Sequence, residues 1–120
     1  MMREGMLRTG RVRVNLPCSI IIYTPQEETI DTVIKNICEG GVGLTLKKKL
    51  EVYSKVGLKI YEIGNEPIVC KGTVRWVKTI ESSRTGPDYS FNMGIQFSEI
   101  KERDVLAIRN LVASKSSNPE

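Results

Sequence analysis

Six segments between residues 11 and 97 carry a strand pattern, and a helical period appears only after them; this order limits the fold more than any other feature. Residues 11–23 (RVRVNLPCSIIIY) alternate at first, with Val12 and Val14 on one face and Arg11 and Arg13 on the other. Pro17 within that run predicts an edge position, a bulge or a bend. After a turn at Pro25, residues 28–37 (ETIDTVIKNI) are rich in β-branched types and 42–46 (VGLTL) form a short strand. The lysines at 47–49 read as a solvated loop. Residues 56–63 alternate again and end at Gly64-Asn65, a hairpin signal. A long strand follows at 67–79, with Gly72 a candidate bulge, then a polar loop at 80–88 and a last strand at 89–97 with Gly94 inside it.

Beyond that strand, Val105, Ile108, Leu111 and Val112 fall on one helical stripe, with Ser98 the expected N-cap and Glu99 in the first turn. Six strands with short loops and one terminal helix predict a mainly β fold, a small antiparallel barrel or sandwich with the helix over an open end. Closure is the physical expectation, because exposed strand edges invite aggregation.

At 120 residues the chain suffices for one domain with its own core. The expected division is an arginine-rich arm over 1–11, a domain over 12–114 and a frayed tail over 115–120. No run approaches the roughly 18 apolar residues of a spanning helix. The segment MMREGMLRTGRVRV lacks the apolar stretch of a secretory signal, so the expected location is cytoplasmic. Three widely spaced cysteines without any histidine do not make a zinc pattern, and Cys18 and Cys70 sit in apolar runs as expected core residues. The absence of histidine also removes the usual general base, and no carboxylate pair stands out. The chain therefore reads as a binding protein, not an enzyme, with no metal and no cofactor.

Charge is concentrated at one end. Residues 1–13 hold Arg3, Arg8, Arg11 and Arg13 against Glu4, a net +3 of the chain's +4. The excess is all arginine, whose planar fork binds phosphate bidentately and stacks on flat rings.

The stretch NICEGGVGL (36–44) carries Gly40, Gly41 and Gly43 where a turn needs one glycine. Either the backbone bulges there, or something comes close that side chains would block. Successive backbone N–H groups in such a turn form a concave anion site, and Asn36 suits the edge of a nucleobase. Arg8 and Arg11 can clamp phosphates or pair with guanine O6 and N7.

The succession RVRVNLPCSI, NICEGGVGL, GTVRWV, MGIQF and a terminal amphipathic helix resembles the PilZ domain family, over about residues 8–113. The resemblance implies a six-stranded antiparallel β-barrel with a C-terminal helix. It also implies binding of the bacterial second messenger cyclic di-GMP, with the arm folding over the ligand to change a surface read by a partner protein. The family's ligand motifs are two arginines separated by three residues and a turn of pattern Asp or Asn, any, Ser, any, any, Gly. The turn motif matches at Asn36 and Gly41, with Cys38 in place of its serine. Arg11 matches the second arginine; the position four before it is Leu7, and Arg8 is the nearest arginine. Gly10 lets the arm bend between Arg8 and Arg11. The implied ligand set is Arg8, Arg11, Arg13, Asn36, Cys38, Gly40 and Gly41. Exchanging the serine hydroxyl for a thiol weakens one hydrogen bond to phosphate, a cost of about 1.5–3 kcal/mol if it is lost outright.

Two other readings stay open. Some members of that family lack the ligand motifs and act through protein contacts; here Trp76, Tyr89 and Phe91 are contact candidates, although each also fits the barrel core. Only one of Arg75 and Trp76, neighbours in a strand, is expected to face inward. A single-stranded nucleic-acid binder would need a shared aromatic platform, which the scattered Tyr23, Tyr53 and Tyr61 do not provide. The expected partners are cyclic di-GMP and an unidentified effector protein, with no membrane insertion; a homodimer sharing ligand through two arms is compatible with this.

Overall fold

The computed structural model describes residues 11–81 and 89–116. Six strands run in order: β1 (Val12–Ile22), β2 (Glu28–Cys38), β3 (Gly41–Leu46), β4 (Lys55–Ile60), β5 (Ile68–Glu81) and β6 (Tyr89–Glu99). All neighbouring pairs are antiparallel, and the order β1-β2-β3-β6-β5-β4 closes on itself through β1 and β4. The expected barrel is thus a closed one, and the sheet has no free edge. The helix α1 (Glu102–Ser116) packs against β1 and β2.

Inward-facing residues of every strand meet in one core: Ile20, Ile34, Ile37, Leu58, Ile60, Val74, Met93 and Ile95 are buried. Cys18 and Cys70 lie among them, as their apolar surroundings predict. Each such aliphatic side chain contributes roughly 1.5–3 kcal/mol by leaving water. Ile108 is the helix residue fully enclosed by this core, and Leu111 and Val112 pack beside it.

Four register shifts bend the sheet. The first falls between Arg13 and Leu16, just ahead of Pro17. In β2 the extra residue is Lys35, so Ile34 and Ile37 both point inward while Lys35 and Asn36 lie between them on the outer side. In β5 the extra residue is Arg75, between Val74 and Trp76. This corrects the expectation that one of Arg75 and Trp76 faces in: the bulge turns both outward. Trp76 and Tyr89 are exposed and only Phe91 packs against the core, so the first two are not barrel core.

The shift at Gly72 is present, with the extra residue Ser98 on β6. Ser98 is therefore not the helix cap. β6 continues to Glu99, opposite Lys71, and the first helical turn hangs from the Lys101 carbonyl, which accepts from the Asp104 and Val105 amides at 2.9 and 3.0 Å. β5 likewise outruns its expected end, because Ile80 and Glu81 pair with Ser90 and Tyr89. At the Gly64-Asn65 hairpin β4 stops at Ile60, opposite Ile68, sooner than the alternation suggests: the Tyr61 amide turns to the Pro17 carbonyl at 2.9 Å, and Glu62 takes a positive φ of 71°.

Candidate functional site

The glycine stretch forms a tight link between β2 and β3. Cys38 pairs with Gly41, leaving Glu39 and Gly40 as the turn. Its second glycine is required by a close approach: a Cβ at Gly41 would overlap the Ile95 carbonyl of β6 and stand 3.1 Å from the Gln96 Cα. Gly40 has open space around it, and its carbonyl accepts from the Phe97 amide at 2.9 Å. The turn is thus pinned to β6 by backbone alone, and one side of it is bare.

That bare side opens on a hollow of about 410 Å³ lined by Arg11, Cys38, Gly40, Gly41, Arg75, Trp76, Gly94 and Gln96, with Val42 and Ile95. Beside it lies a smaller hollow of about 130 Å³, bordered by Lys35, Asn36, Gly43, Thr45, Trp76 and Asn92. Trp76 borders both, and the Arg11 guanidinium donates to the Asn36 Oδ1 across the boundary.

The floor between the walls follows from strand register. Asn36 pairs with Gly43, Gly43 with Gly94, and Gly94 with Trp76, one row across β2, β3, β6 and β5. The Asn36 amide lies over Gly43, where a Cβ would come within 2.6 Å of its Oδ1, and the Trp76 indole lies over Gly94. The bulges at Lys35 and Arg75 supply these outward walls, and the paired glycines keep the middle flat.

Electrostatics favour an anion here. Arg11 and Arg75 border the larger hollow, with no lining carboxylate among the described residues. Arg75 is oriented by donating to the Gln96 Oε1 and lies 5.9 Å from the centroid of the Tyr53 ring. Glu39, at the turn itself, is paired with Arg109 of α1, whose Nε lies 2.5 Å from its Oε2.

Of the residues singled out in the sequence, Arg11, Cys38, Gly40 and Gly41 meet in the larger hollow and Asn36 in its neighbour. Arg13 pairs with Asn36 on the strand but borders a different cavity of about 830 Å³, with Lys35, Glu62, Leu111 and Lys115. Arg8 lies outside the described residues. Arg75 and Trp76 lie outside the ligand set that the resemblance implies; Trp76 enters the sequence reading only as a protein-contact candidate, and strict alternation assigns one of the two to the core. Among the described residues no cluster of three or more His, Cys, Asp or Glu is placed to hold a metal ion, and no helix is long and apolar enough to cross a membrane.

A closed six-stranded antiparallel barrel with one terminal helix is the architecture of a PilZ-type domain. The sequence pattern of the PilZ domain matches residues 8–114, and the chain belongs to that family. No curated protein is significantly similar to it in sequence. Among solved structures it is similar to the Bacillus subtilis inhibitor of motility MotI/DgrA, at 21% identity and a TM-score of 0.71, over 92% of this chain and 51% of that one. It is also similar to MrkH of K. pneumonia in complex with c-di-GMP, at 19% identity and a TM-score of 0.66, over 88% of this chain and 50% of that one. The PilZ domain of Escherichia coli YcgR with c-di-GMP matches at 10% identity and a TM-score of 0.60, over 91% and 95% of the two chains. The chain thus spans about half the length of the MotI and MrkH chains.

Proposed function

We propose that this chain is a receptor domain for cyclic di-GMP. One observation carries the reading: Arg11, Arg75 and Trp76 converge with the Cys38–Gly41 turn on one hollow, where Gly40, Gly41 and Gly94 contribute no side chains of their own. Guanidinium forks match both phosphate oxygens and the O6/N7 edge of guanine, and an exposed indole offers a stacking face to a purine. The bare turn lets a phosphate approach the backbone, while Asn36, already bonded to Arg11, presents donors and an acceptor to a base edge. The c-di-GMP complexes of the similar barrels in MrkH and YcgR support this choice of ligand.

In this account Arg8 and Arg11 grip the ligand from the N-terminal side, with Arg13 beside them, and the arm folds over the nucleotide. The folded arm alters the surface offered to an effector protein. Replacing Arg8 and Arg11 together by alanine is expected to abolish cyclic di-GMP binding in calorimetry while the far-ultraviolet dichroism of the barrel is kept. Binding retained by that double variant refutes the assignment.

A second reading, an adaptor acting through protein contacts without ligand, is favoured by Cys38 at the serine position, by Leu7 where the first arginine is expected, and by the exposure of Trp76 and Tyr89. It predicts no nucleotide binding at all.

A further inference from the structure

Glu39 raises a problem for an anion site. It stands in the β2–β3 turn between Cys38 and Gly40, both of which line the larger hollow. A free carboxylate there would set a negative charge beside the place where phosphates approach. The structure answers it with Arg109, seventy residues further along the chain, whose Nε donates to the Glu39 Oε2 at 2.5 Å.

The pair has little to do for the fold. Its side chains are 56% and 45% exposed, and ion pairs in such settings contribute little to stability. The turn is held to β6 by the Gly40 carbonyl and Phe97 amide, and α1 is anchored by the enclosed Ile108; neither depends on Arg109.

We propose that Arg109 is a positioning residue for the nucleotide site: it neutralises Glu39 and so keeps the turn open to the ligand's phosphates. This rests on the receptor reading and places part of the site on α1, outside both ligand motifs. The consequence has a sign that a structural tether does not share. Arg109→Ala exposes a negative charge beside the phosphates and weakens binding, whereas Glu39→Gln removes that charge and leaves binding as tight or tighter. A tether makes the two variants alike, because either one breaks the pair.

The experiment is calorimetric titration of cyclic di-GMP into the full chain and the variants Arg109→Ala, Glu39→Gln and the double substitution, with thermal melts of each. Expected is a two- to fivefold weakening, in rough terms, for Arg109→Ala at low ionic strength. Glu39→Gln binds as tightly as the parent or tighter, and the double variant recovers the parent affinity. The loss in Arg109→Ala fades at roughly 1 M salt, where the screening length is about 3 Å. Equal weakening in both single variants, or no change in either, overturns the proposal and leaves the receptor reading standing. A parent chain that binds no cyclic di-GMP refutes both.

Discussion

Trp76 lies over Gly94 so closely that a Cβ on that glycine would occupy the place of the indole Nε1. The two are register partners of β5 and β6, and the bulge at Arg75 turns the ring outward onto the glycine. Trp76 is 47% exposed, so its removal costs little stability, yet it borders both hollows. Trp76→Ala is expected to weaken cyclic di-GMP binding by roughly tenfold or more, the scale of one stacked base at about 1–3 kcal/mol. Gly94→Ala should push the ring away and weaken binding in the same direction. Because Trp76 is the chain's one tryptophan, its fluorescence reports ligand binding directly.

Gly40 and Gly41 make opposite predictions for stability. A methyl group at Gly41 meets the Ile95 carbonyl, a backbone atom that cannot swing aside, whereas at Gly40 nothing among the described residues stands within 4 Å. Gly41→Ala is expected to destabilise the barrel by about 1–3 kcal/mol in urea denaturation, and Gly40→Ala by far less.

The cysteines divide by environment. Burial pushes the Cys18 and Cys70 thiols up from the ordinary 9.0 to about 12, with smaller contributions from Asp31 at Cys18 and Asp104 at Cys70. A raised pKa in the folded chain means stability that is complete below about 9 and is lost as pH climbs from 9.0 towards about 12. Denaturation midpoints should therefore fall over that window, and Cys18→Ala with Cys70→Ala should flatten the fall. Alkylation of the native protein at neutral pH should modify Cys38 alone, which borders the hollow, and cyclic di-GMP should slow it.

Ile108 is the helix's one fully enclosed side chain among the described residues. Ile108→Ala is expected to cost about 2–5 kcal/mol in chemical denaturation, with loss of helix signal ahead of strand signal.

Periodicity made the barrel legible: the six strand segments, the helical stripe with Ile108 and the cysteines in the core are each visible as local patterns. What escaped it were the bulges at Lys35 and Arg75, whereas Pro17 and Gly72 flagged the other two. One extra residue reverses the inward and outward assignment of everything nearby, and nothing in GTVRWV marks Arg75 as that residue. The same effect hid the end of β6: Ser98 has the chemistry of a helix cap, but cross-strand pairing of Glu99 with Lys71 holds the segment extended. Half of the lining of the candidate site was legible, through Arg11 and the NICEGGVGL turn. Its other wall, Arg75 and Trp76, comes from β5 and reaches the turn only through pairing with β6.

The most direct test of the receptor reading is calorimetric titration of the purified chain with cyclic di-GMP, with GTP as control. Selective binding at low micromolar affinity or better, with a change in Trp76 fluorescence, is the predicted result. No heat and no chemical-shift change at near-millimolar ligand would contradict it, and would leave the glycine floor as architecture in a domain that works through protein contacts.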